Sequence, residues 1–119
     1  MRNSIKKIFA ILLTASASLC QAQSLDSLEL ALKTARHDTT RLKILNLLAE
    51  ICELEDINTY TLPSLTIAER NLKNIDRNNP LFGIYNQYRA SALNSIGFLE
   101  SQKGEIAKAL DYYTSVMST

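Results

Sequence analysis

The stretch from Thr39 to Glu55, "TTRLKILNLLAEICELE", carries two apolar stripes rather than one. Leu42, Leu45, Ala49 and Cys52 recur at steps of three and four, and Ile44, Leu48 and Ile51 do the same on the adjoining side. One apolar stripe lets a helix pack on one partner; two stripes require neighbours on two sides. That single helix therefore excludes an isolated two-helix pair and demands a layered helical arrangement. The rest of the chain keeps the same period. Ser24–Arg36 spaces Leu25, Leu28, Leu32 and Ala35 as an amphipathic helix of about three turns. No stretch carries a strand signal, so the expected class is all-α, built of antiparallel helix hairpins.

The breaks between helices have local chemical causes. "HDTT" at His37–Thr40 interrupts the pattern, and Asp38 is expected to cap the next helix by accepting from the free amides of its first turn. In "DINTYTLPSLTIAERNLKNID" the apolar Ile57, Leu65, Ile67, Ala68 and Leu72 mark a further helix, with Pro63 inside it. Proline removes a ladder donor and crowds the preceding turn, so either a kink or a helix starting near Thr61 is expected. "DRNNP" supplies Asn79 as a cap and Pro80 for the first helical position. A long helix then places Tyr85, Tyr88, Ala92, Ile96 and Leu99 on one side as far as Lys103, and Gly104 is expected to end it in the left-handed conformation. Glu105–Met117 forms the last helix, with Ile106, Ala109, Leu110, Tyr113 and Val116 on its expected inner face.

Residues 1–22 follow a different logic. Arg2, Lys6 and Lys7 precede an apolar run from Ile8 to Leu19, too short to cross a bilayer as a helix. Cys20 and Ala22 make a small-x-small cleavage site, so a secretory signal cut after Ala22 is expected, and with it an exported, periplasmic protein. Lipidation at Cys20 is a second reading, although Leu19 stands where that chemistry favours a small residue. Removing 22 of 119 residues leaves 97, one small domain, and takes the net charge from +1 to −2. No basic block survives, which argues against nucleic-acid binding. Cys52 then stands alone, so no internal disulfide staples the domain.

Catalytic or metal chemistry has little to work with. His37 is the single histidine and lies in a polar turn; a metal or acid–base site needs partners that no second His or patterned Cys/Asp/Glu set provides. Cys52 sits on an apolar stripe, where a thiol is a small core residue with a raised pKa rather than a nucleophile. "ELED" at Glu53–Asp56 lacks the glycine-bearing loop of a cation site and reads as a helix end and cap. No enzyme, cofactor or metal is expected.

"SALNSIGFLESQKGEIAKALDYY", Ser91–Tyr113, carries the most specific pattern. Gly97 falls mid-helix at a cost of about 1 kcal/mol against alanine, which close approach of a partner helix can offset. Ala109, twelve residues on and across the turn at Gly104, is the expected partner, with Tyr113 filling the wedge beyond it. Leu93, Ile96, Gly97, Gly104, Ala109 and Tyr113 fall on the signature positions of the tetratricopeptide repeat, which the segment resembles. Glu100 departs from it where an aromatic is usual. Leu45, Leu48, Ala49 and "PSLTIAERNL" look like a degenerate earlier copy, about four residues short. "ARHDTTRLKILNLLAE" followed by a strong repeat also resembles the exported N-terminal region of sensor histidine kinases and related regulators of the Bacteroidetes type.

These resemblances imply a short tetratricopeptide-like α-solenoid. Its parts are a signal at 1–22, an amphipathic helix at 23–37, a degenerate hairpin at 38–79 and a repeat hairpin at 80–119 with no capping helix after it. They imply a non-enzymatic scaffold that binds a protein or peptide segment, membrane-tethered if it is part of a longer protein. By the family pattern the groove positions are Ser91, Asn94, Ser95, Phe98, Ser101 and Gln102. Asn94 offers an amide to a peptide backbone and Phe98 an apolar wall. The lysines and arginines that clamp a terminal carboxylate in some members are absent from these positions. Self-association through the C-terminal hairpin is the alternative expectation.

Overall fold

The computed structural model describes residues 24–117, and the signal expected at 1–22, with Cys20, lies outside them. Among the described residues every regular element is helical. These are α1 (24–34), α2 (Asp38–Ile51), a 3₁₀ turn (Leu54–Asp56), α3 (Ile57–Asn74), α4 (Phe82–Gln102) and α5 (Ile106–Met117). None of them is long and apolar enough to cross a membrane.

Side-chain contacts set the helix directions. Asp38 at the start of α2 meets Arg70 and Asn71 near the end of α3, so these two run antiparallel. Ala68 of α3 packs with Tyr85 of α4, and Arg89 of α4 reaches the Ser115 carbonyl of α5, which makes each following pair antiparallel too. Leu42 shares a cluster with Tyr85 while Asn46 bonds Ser91, so α2 and α4 lie side by side and parallel. The doubly striped α2 has the two-sided burial that its sequence demands: Leu42 and Leu48 are fully buried, and Ile44 and Leu45 nearly so. In the centre, Leu42, Ala68 and Tyr85 join three helices, flanked by Ile67, Leu72, Ile75 and Tyr88.

Several local expectations are corrected. Asp38 does not cap α2 through the backbone. It is the first helical residue, His37 precedes it as N-cap, and its carboxylate is taken up by three side chains instead. Of the two alternatives at Pro63, the start near Thr61 is excluded, since α3 starts at Ile57 and runs through the proline. The proline is exposed and lines an open cleft with Glu29, Leu32 and Lys33 of α1. Asn79 does not cap α4: its Oδ1 accepts from the Leu81 amide at 2.9 Å within the preceding turn, the N-cap is Leu81 without a side-chain bond, and Pro80 stays in that turn rather than at the first helical position. Glu53 is the N-cap of the 3₁₀ turn Leu54–Asp56, which leads into α3, and neither Glu53 nor Asp56 makes a side-chain cap bond.

The turn after α4 follows its glycine. Gly104 has φ +81°, its amide bonds the Ser101 carbonyl, and the Glu105 amide bonds the Glu100 carbonyl. That pair of bonds is the Schellman closure, and it folds α5 back along α4. On α5 the expected inner face is only partly inward. Ala109 is buried and Val116 half-buried, but Ile106 is 57% and Leu110 58% exposed. With Met117 and the open side of the Tyr113 ring they form an exposed stripe at steps of four, three and four, because among the described residues α5 rests chiefly on α4.

Candidate functional site

The site begins at the seam between the parallel helices α2 and α4. Ser91 Oγ donates to Asn46 Oδ1 at 3.0 Å, and Asn46 Nδ2 donates to Glu50 Oε1 at 3.2 Å. Asn46 thus spends one side of its amide on each helix. A small polar recess of about 170 Å³ opens there, lined by Asn46, Gln87, Tyr88 and Ser91. Helical spacing extends the face in both directions. Gln87, Ser91, Asn94 and Phe98 recur at steps of four, three and four on α4, while Lys43, Leu47 and Glu50 stand beside Asn46 on α2. Asn94 is exposed, and Phe98 presents its ring 46% exposed.

Of the six groove residues named from sequence, Ser91, Asn94 and Phe98 share this stripe. Ser95 is half-buried one line over, and Gln102 is exposed at the far end of α4. Ser101 turns its hydroxyl back onto the Phe98 carbonyl at 2.7 Å, which leaves it little to offer a ligand. The contribution of α2 was missed. Lys43, Asn46 and Glu50 are polar at three- and four-residue steps opposite the apolar stripes, and that interval was the available signal. What it could not convey is that Asn46 meets a residue 45 positions away.

The packing residues fall where the hairpin closes. Leu93, Ile96 and Ala109 are buried, each less than 5% exposed. Gly97 is buried too, and the atoms nearest to it across the hairpin belong to Tyr113 and Tyr112. A Cβ placed there would lie 2.9 Å from Tyr113 Cε1, 3.1 Å from its Cδ1 and 3.2 Å from Tyr112 Cβ. The glycine therefore seats the Tyr113 ring and the Tyr112 stem on the α4 backbone. No family model matches this chain, and no curated protein or solved structure matches it either.

Two other clusters brace the site. Asp38 Oδ1 accepts from Arg41 at 2.7 Å, and Oδ2 accepts from Asn71 at 2.9 Å and Arg70 at 3.0 Å. The Asn71 bond, then Arg41 and Arg70, hold its carboxyl below the usual range against the opposing effect of burial. Tyr60 donates to Glu29 at 2.7 Å, tying α1 to α3, and that bond first and burial second push the phenol up to about 12. Cys52 is half-buried, and burial and then Asp56 raise its thiol, so at neutral pH it is protonated. His37 is exposed in the turn before α2.

Proposed function

We propose that this chain is a non-enzymatic protein–protein interaction module of the tetratricopeptide kind, working as the exported N-terminal binding part of a bacterial signalling protein. The observation that carries the reading is the α4–α5 hairpin. Gly97 takes an aromatic from the returning helix, Gly104 closes the turn and Ala109 is buried between the helices. The two hairpins set their first helices, α2 and α4, in parallel, and the polar face across them is the surface such a module uses. Amides at Gln87 and Asn94 can each donate to and accept from an extended peptide backbone. The Phe98 ring beside Asn94 supplies apolar contact, and an aromatic amid polar groups is a common interface anchor.

A pull-down from periplasmic extract with the wild-type chain and an Asn94→Ala/Phe98→Ala variant tests this. Discrete partners lost in the variant, with an unchanged circular-dichroism melt, support the reading; an unchanged partner set removes the face. The second reading, a self-associating structural protein, draws on the exposed Ile106, Leu110, Tyr113 and Met117 stripe. Light scattering on the purified chain separates the two, since a well-folded monomer sinks self-association.

A further inference from the structure

A second cleft lies away from the Asn46–Ser91 seam, where the end of α3 and the following turn meet the first half of α4. It encloses about 480 Å³, within the range of small-molecule sites. Its apolar surface comes from Leu72, Ile75 and Phe82, all half-buried, of which Leu72 and Ile75 pack on the central cluster. Lys73, Arg77 and Arg89 supply three cations around that surface, and none of them is in an ion pair among the described residues. Arg89 is half-buried and gives one N–H to the Ser115 carbonyl at 3.3 Å, so among the described residues most of its planar fork remains unengaged. Glu69 and Asp76 also line the cleft and bring its formal balance to +1.

From this arrangement we propose that the cleft binds an amphipathic monocarboxylate: an apolar body with one anionic head. The body covers Leu72, Ile75 and Phe82, whose exposure to water is the unfavourable feature of the empty cleft. The head meets Arg89, because a guanidinium fork matches a planar carboxylate through two parallel hydrogen bonds. The balance of +1 selects a single charge, since Glu69 and Asp76 oppose a phosphate or other polyanion. The site is independent of the peptide face: it uses the side of α4 that carries Arg89, and none of its lining residues belongs to the seam.

Backbone-amide NMR titration of the chain tests the proposal with four probes: decanoate, decylammonium, and N-acetyl-Phe-Leu as its free acid and as its amide. Saturable shifts centred on Leu72–Arg77 and Phe82–Arg89 are expected for at least one carboxylate, at least tenfold tighter than for its uncharged or cationic counterpart. Binding of decanoate identifies an acyl chain as the source of the head group, and binding of the peptide acid identifies a chain terminus. Arg89→Gln is expected to weaken the bound carboxylate about tenfold. Because Arg89 also holds α5, Arg77→Gln, which removes a cation in no ion pair among the described residues, is the second variant and should weaken binding by a few-fold. Failure of both carboxylates to bind overturns the proposal. So do equal affinities within each probe pair, shifts located elsewhere, or affinity unchanged in both variants.

Discussion

At Gly97 two effects oppose each other, and the steric one is the larger. Alanine would gain about 1 kcal/mol in helix propensity, but its methyl would enter the space held by the Tyr113 ring and Tyr112 Cβ. The ring can swing, since Tyr113 is 36% exposed, whereas the Tyr112 Cβ moves only with the α5 backbone. Gly97→Ala should therefore destabilise the chain by about 1 kcal/mol in urea unfolding, and by less than about 0.5 kcal/mol when Tyr113 is already alanine. Equal losses in both backgrounds would mean that the ring does not occupy the glycine. Asp38 makes the corresponding prediction for pH. Its carboxyl pKa is lowered by folding, so its contribution is fully present above the unfolded value of 3.8 and is lost as pH falls through the lower folded value. Asp38→Ala should cost about 1–2 kcal/mol at pH 7 through the lost charged hydrogen bonds. The gap from wild type should narrow markedly by pH 2.5, read from thermal melts at the two pH values.

Among the elements, α5 is the one whose apolar residues exceed its partners. A stripe with Ile106 and Leu110 more than half exposed contributes little to the folded state of the single chain. Ile106→Lys/Leu110→Lys should change unfolding free energy by no more than about 1 kcal/mol, while lowering any concentration-dependent light scattering. A loss of several kcal/mol would place these side chains in the core instead. The turn that positions α5 is sensitive in the opposite sense. Gly104→Ala forces a Cβ into φ +81°, which costs about 1–2 kcal/mol. It should loosen α5 ahead of the other helices, visible as faster amide exchange over residues 106–117 than in wild type.

Across the whole molecule, burial is concentrated in α2 and α4. The buried apolar residues lie mostly on these two helices, whereas α1 contributes none and α5 only Ala109. Hydrogen exchange should therefore be slowest in the central turns of α2 and α4 and faster in α1 and α5, because local opening follows buried contact. The bond from Tyr60 to Glu29 is a principal tie on α1, so Glu29→Ala should speed exchange over 24–34 and leave α4 unchanged.

The helical class, the breaks near His37 and Asn79, and the left-handed Gly104 were legible because each depends on contacts within a few residues. Periodicity also foretold that α2 is covered on two sides, since two stripes on one cylinder leave no other solution. The rest needed distant partners. Asp38 has the residue type of a cap, yet Arg41, Arg70 and Asn71 compete for its oxygens, and two of those are more than thirty positions away. Ile106 and Leu110 have the spacing of an inner face, but burial depends on a neighbour, and among the described residues α5 packs chiefly on α4, whereas α3 packs on both α2 and α4. On the candidate face, the α4 stripe of Ser91, Asn94 and Phe98 could be read from spacing, while Asn46 joined it only through a bond between helices. Sequence alone determined which surfaces could be buried, because periodicity is a local property. The tertiary structure decided which were, because burial and pairing belong to two segments at once.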